Sequence, residues 1–203
     1  MTKLDAAYLS DQLFPLLKNR VMARNRADFS AFAGWLGKDA ELLTPFEELA
    51  VTGGLRGTDT MELIPVPEVS DSGAYEAAFF IHGVRYLSEG SQTEFSKLKP
   101  GDELLLVKDS QNPSDRHALL LRTKTSACLV GYVPRYFSLE FTTLLDAQED
   151  LLRVQVARVN SDAPLAFKVL CSLRAPWPDG FSSCHQAEFE LLTEPASQIQ
   201  VVS

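Results

Sequence analysis

The chain has 203 residues, 45% hydrophobic and 23% charged, with a net charge of −8. No apolar run approaches the ~20 residues that span a bilayer. The balance is acidic, whereas a general nucleic-acid binder carries a broad basic footprint that displaces counterions from phosphates.

The first sixty residues read as three helices. Leu9, Leu13, Leu16 and Leu17 recur at helical spacing, with Pro15 ending or kinking the segment. Asp28 is placed to cap a second helix with Phe29, Phe32, Ala33 and Leu36 on its inner face, stopped by Gly37. The third has Thr44 as N-cap, Pro45 at the first position, Glu47 completing a capping box and Gly53 as stop; Phe46, Leu49 and Ala50 should face inward. Thr52-Gly53-Gly54 and Gly57-Thr58-Asp59 read as a helix stop and a turn into a strand over 61–65. A phosphate nest is the weaker reading, because no G-K-[ST] follows and the glycines come after a helix.

Residues 65–75, with two prolines, Ser70, Asp71, Ser72 and Gly73, read as a linker or hairpin loop. From residue 76 the period changes. Apolar runs at 76–82, 102–108, 117–122, 127–133, 151–159 and 165–173 are separated by turn signals such as Lys99-Pro100-Gly101-Asp102 and Asn112-Pro113. Arg153–Val159 alternates as a half-buried strand does. Residues 135–148 interrupt the series as a helix with Phe137, Phe141, Leu144 and Leu145 on one face. Six short strands and one helix suit a small barrel. The expected organisation is α+β: a helical segment over 1–75, a barrel over 76–176, and a tail over 177–203 that packs on the body. Lys and Arg against Asp and Glu number 7 to 11, 12 to 12 and 0 to 4 in these three stretches, so the acidity lies in the flanks of a neutral barrel.

Three cysteines (Cys128, Cys171, Cys184) and three histidines (His82, His117, His185) give no zinc-like spacing. No metal or cofactor is expected. Nothing matches a nucleotide-binding P-loop, G-x-S-x-G or H-E-x-x-H, so the chain is not expected to be an enzyme. With no signal-peptide pattern and free thiols, the expected compartment is the cytoplasm.

Three stretches join strand-like runs to polar groups: Gly83-Val84-Arg85-Tyr86, Asn112-Pro113-Ser114-Asp115-Arg116-His117-Ala118 and Val130-Gly131-Tyr132-Val133-Pro134-Arg135. Arg85 offers a planar fork for phosphate and Tyr86 a face for stacking on a base. Asn112 to Asp115 is a turn whose side chains bond nearby amides. Arg135 opens the helix, where backbone N–H groups also favour an anion.

In this order and spacing the three stretches resemble the HIRAN domain, a small barrel of SH3-like or OB-like character, over roughly residues 76–175. The resemblance implies a non-enzymatic module that binds DNA ends, with a single strand bearing a 3′-OH as partner. It implies a site of Arg85, Tyr86, Asn112, Asp115, His117, Tyr132 and Arg135. The Arg-Tyr pair would contact terminal nucleotides, Asp115 would accept the 3′-hydroxyl, and Arg135 would contact phosphate. Tyr132 is either a wall of the end pocket or barrel core.

The chain departs from the family pattern at Ser114, where Tyr is common, at Leu87, where an aromatic is frequent, and at His117, where Asn is common. A lost stacking platform costs about 1–3 kcal/mol per base, so weaker strand binding is expected. The alternative is a protein-interaction module whose groove takes a peptide or partner loop. A basic pocket of Arg85 and Arg135, with Lys108 as a third cation, would favour DNA; an uncharged apolar groove would favour a protein.

Overall fold

The computed structural model describes residues 7–59, 61–185, 189, 190 and 199–201. A short strand β1 (Ala7–Leu9) precedes three helices, α1 (Pro15–Lys18), α2 (Phe29–Trp35) and α3 (Pro45–Thr52). Then come β2 (Ala74–Phe80), α4 (Glu89–Ser96), β3 (Glu103–Lys108), β4 (Leu119–Thr123), β5 (Leu129–Tyr132), α5 (Arg135–Gln148), β6 (Arg153–Val159) and β7 (Val169–Pro176). The last strand, β8 (Ile199–Val201), pairs in parallel with β1.

Six strands make one antiparallel sheet in the order β2-β7-β6-β3-β4-β5. Register shifts at Leu121/Arg122 and Val156/Arg158 bend it. The sheet curls until the chain just beyond β2 meets β5. There His82 and Tyr132 exchange both backbone bonds: the His82 amide donates to the Tyr132 carbonyl at 2.9 Å, and the Tyr132 amide to the His82 carbonyl at 2.8 Å. Gly131 permits this approach. Its φ is +152°, and a Cβ there would lie 2.1 Å from Ile81 Cγ2 and 2.8 Å from the His82 carbonyl oxygen.

Inside the curl, Tyr75, Phe79, Leu119, Leu121, Val130, Val154, Val156 and Leu173 form one core with Phe137, Phe141 and Leu144 of α5. The rings of Phe137 and Phe141 stack at 4.8 Å, one helical turn apart. Thus α5 takes its expected bounds, because its apolar spacing and the sheet's inner face specify each other. Beyond β7, Trp177 and Phe181 pack on Tyr75. The tail residues 186–188, 191–198, 202 and 203 lie outside the described residues.

The outer face of the sheet carries a second cluster. Phe29, Phe32, Ala33 and Leu36 of the α2 region, with Leu43, bury against Phe80 and Leu170. Each of the phenylalanines and leucines contributes roughly 1.5–3 kcal/mol on burial. Buried Asn160 adds a polar tie, donating from Nδ2 to the carbonyls of Trp35 at 3.0 Å and Phe167 at 2.7 Å.

Several sequence expectations change. The leucine-spaced helix from Leu9 does not form: residues 7–9 are strand, and α1 is confined to Pro15–Lys18. Pro15 begins the helix, since a residue with no N–H loses nothing at the first position. Asp28 stands at the N-cap of α2, but its side chain pairs with Arg26 at 2.8 Å and caps nothing. The α3 grammar is as read, with the Thr44–Glu47 capping box present and Gly53 in the left-handed region.

Phe46, however, is 68% exposed. Instead α3 turns Glu48 and Leu49 inward, and Glu48 Oε1 accepts from the Met22 amide at 2.5 Å. No strand forms over 61–65; Leu63 makes a single bond to the Gly53 carbonyl, and Pro65 and Pro67 have no N–H to give a ladder. The first part of the last apolar run, Leu165–Phe167, is a 3-10 turn, and its strand starts at Val169. Helix α4 was missed, because it is almost wholly polar and buries only Phe95. Among the described residues no helix is long and apolar enough to cross a membrane.

Candidate functional site

Six of the seven residues singled out in the sequence line one cleft of about 1000 Å³: Arg85, Tyr86, Asn112, Asp115, Tyr132 and Arg135. It lies across the seam where the sheet closes on itself. One wall is the 3-10 turn Val84–Tyr86. Gly83 starts that turn at φ +69°, and a Cβ there would meet Tyr132 Cδ2 at 2.7 Å, so glycine lets the Tyr132 ring lie flat against the turn. Val84 is buried as the anchor, which throws Arg85 and Tyr86 outward. Tyr86 is 74% exposed. The Arg85 guanidinium lies over its ring at 4.8 Å and donates to its hydroxyl at 2.7 Å. An exposed pair of this kind is worth about 0.5–1 kcal/mol, so a phosphate can draw the arginine away cheaply.

The facing wall is the loop after β3. Asn112 Oδ1 accepts from the amides of Ser114 at 3.0 Å and Asp115 at 3.1 Å, an Asx turn. Asp115 Oδ1 accepts from the His117 amide at 2.9 Å, and Oδ2 is left for another donor. A residue that the sequence reading passed over organises both walls. Asp109 Oδ2 accepts from the Tyr132 hydroxyl at 3.0 Å and from Asn112 Nδ2 at 3.2 Å. Its only signal in the sequence is a carboxylate at the end of a strand. Burial and the Asp109 carboxylate raise the pKa of Tyr132, which keeps the phenol neutral.

Arg135 occupies the first position of α5 at the cleft floor. Neither it nor Arg85 forms an ion pair among the described residues. His117 does not line the cleft: its ring nitrogen accepts from Arg116 Nε at 2.9 Å. Lys108 does not join the arginines either, because it pairs with Asp146. Leu55, His82, Leu165 and Ala166 are also part of the lining. Burial lowers the pKa of His82, so it adds no charge there near neutrality. Leu55 comes from the helical segment, a contribution the motif spacing could not reveal.

A second cavity of about 590 Å³ adjoins the cleft and shares Leu55, His82 and Ala166 with it. Together the two are lined by Arg20, Arg26, Arg56, Arg85 and Arg135 against two carboxylates, Glu48 and Asp115. Arg20 and Arg26 pair with Asp59 and Asp28, which leaves Arg56, Arg85 and Arg135 outside ion pairs among the described residues of this surface.

The family model of the HIRAN domain matches residues 75–177. No curated protein matches the chain. Among solved structures, the crystal structure of the HIRAN domain of human HLTF is similar at 15% identity and a TM-score of 0.39, over 52% of this chain and 81% of that one. A protein from Lactobacillus plantarum is similar at 23% identity and a TM-score of 0.38, over 51% of this chain and 97% of that one.

Proposed function

The chain belongs to the HIRAN domain family, and from that premise we propose that it is a non-enzymatic DNA-binding module whose cleft takes the 3′-OH end of a single strand. The observation that carries the proposal is the pairing of opposite charges across the seam. Arg85 and Arg135, neither in an ion pair among the described residues although the charge of Glu62 acts on Arg135, face a cleft whose other wall presents Asp115 Oδ2. Guanidiniums attract the strand's phosphates. A carboxylate accepts from a sugar hydroxyl and repels a terminal phosphate, which distinguishes a free end from a blocked one. Tyr86 supplies the exposed ring on which a base stacks.

Fluorescence anisotropy with short oligonucleotides ending in 3′-OH, 3′-phosphate or a buried 3′ end, at low salt, tests this. Tighter binding of the free 3′-OH is the expected result. One observation favours a second reading, a peptide in the same groove: Leu55 and Leu165 line it while 49% and 47% exposed. No preference among the oligonucleotides would set the DNA-end reading aside in favour of the peptide.

A further inference from the structure

The glycine-rich segment after α3 is a fixed loop that the end cleft leaves largely unused. Gly53 and Gly54 take left-handed backbone in succession, at φ +69° and +58°, and turn the chain sharply. The Leu63 amide donates to the Gly53 carbonyl at 2.8 Å, and the Gly54 amide to Thr52 Oγ1 at 3.2 Å. Arg20 fastens both ends of the loop. Its side chain is 2% exposed; Nη1 donates to the Gly54 carbonyl at 2.7 Å and Nη2 to Asp59 Oδ2 at 2.5 Å. Asp59 Oδ1 accepts from the Met61 amide at 3.0 Å, so both oxygens of this carboxylate are engaged.

Between the fastened ends, Leu55 and Arg56 are exposed. Leu55 lines both cavities and Arg56 the second, and both precede the residues matched by the family model. The Asp59 charge acts on Arg56, but Arg56 enters no ion pair among the described residues. The one carboxylate in the second cavity's lining, Glu48, is 2% exposed, so a phosphate there meets no exposed acid of that lining. His82, shared by the two cavities, is kept neutral by burial. A strand whose end sits in the cleft thus has a continuous path past Leu55 to an exposed guanidinium. The loop that carries this cation is held before any ligand arrives, which reduces the ordering cost of binding. We propose that the strand runs from the cleft along Leu55 into the second cavity, where Arg56 takes one of its phosphates. The helical segment is then part of the DNA site. The inference rests on the DNA-end reading and adds to it the path and length of strand engaged.

The test uses the full chain and 3′-OH oligothymidylates of two to eight nucleotides, read by anisotropy at low salt. Affinity should rise with length to a plateau. Arg56→Ala should weaken plateau-length strands roughly two- to fivefold, the scale of one exposed charge pair. It should also lower their slope of log K against log salt by roughly 0.7–1, one phosphate contact. The dinucleotide, which fills only the cleft, should bind both proteins equally. In the unaltered protein, a neutral methylphosphonate moved along the plateau-length strand should reproduce the loss at one linkage beyond the terminal two nucleotides. That loss should vanish in Arg56→Ala, the mark of a direct pair. No loss at any length, an equal loss on the dinucleotide, or a methylphosphonate profile unchanged in the variant would overturn the extended path and leave the end cleft standing. Failure of every oligonucleotide to bind would overturn both.

Discussion

The Tyr132 hydroxyl donates to Asp109 Oδ2 across 3.0 Å, and the same oxygen takes Asn112 Nδ2, so one carboxylate couples the β5 wall of the cleft to the loop that carries Asp115. Tyr132→Phe removes only the hydroxyl. The expected loss is about 1 kcal/mol of stability, the net worth of one such bond. The larger effect should fall on discrimination between 3′-OH and 3′-phosphate, read by anisotropy, because the loop loses its tether while both arginines stay.

Arg85 and Asp115 should fail differently. Arg85→Ala should weaken every single-stranded ligand and lower the slope of log K against log salt by about one. Asp115→Asn keeps an oxygen for the His117 amide, so the turn survives. It should narrow the preference for a 3′-OH over a 3′-phosphate without a comparable loss of overall affinity. Equal behaviour of the two variants in a salt titration would count against their separate roles.

Gly131→Ala should be among the most damaging single changes in the barrel. The added methyl would sit 2.1 Å from Ile81 Cγ2 and 2.8 Å from a backbone carbonyl. Backbone cannot yield as a flexible side chain can, so His82 and Tyr132 must separate. A loss of about 2–4 kcal/mol in urea unfolding is expected, the range of core overpacking combined with backbone strain.

The contribution of Glu140 to stability should fall as pH rises from about 4.5 to 7. Glu140 of α5 is buried with Cys184 near one carboxylate oxygen, and burial pushes its pKa from the ordinary 4.5 up to about 7. Its folded form therefore holds a proton that the unfolded form gives up across that window. The stabilisation is complete at lower pH and lost as the folded group ionises, a change on the order of 2–3 kcal/mol. Glu140→Gln cannot ionise, so its denaturant midpoint should change less between pH 5 and 8, and it should exceed the wild type at pH 8.

A truncated chain beginning at residue 74 should be markedly less stable than the whole. Removing α2 uncovers Phe80 and Leu170 on the outer face of the sheet, at roughly 1.5–3 kcal/mol each. Calorimetry should show one transition for the full chain and a lower one for the truncated form. Two separate transitions in the full chain would mean that the helices and the barrel fold independently.

Much of the barrel was legible because its signals are local. Runs of apolar residues between turn signals marked the six strands, and α5 announced itself through Phe137, Phe141 and Leu144. The cleft was legible through three motifs that each carry their own turn chemistry. What the sequence hid depends on contacts distant along the chain. The β1–β8 pair joins opposite ends of the protein, and no window of residues shows it. Phe46 obeyed helical spacing yet faces solvent, while Glu48, bonded to the Met22 amide, takes a buried place beside Leu49. Asp109 and Leu55 reach the cleft only through folding, one from a strand end and the other from the helical segment.

The seam at His82 and Tyr132 has one further consequence. Along β2 and β7 seven residue pairs share the load, but the closure rests on one. A strand lying in the cleft would touch Arg85 and Tyr86 on one side of that joint and Arg135 on the other. Ligand and seam would therefore act in parallel: a bound strand would serve as a staple, and opening the joint would also cost the contacts the strand makes across it. The protein would grip most tightly where its own fabric is thinnest.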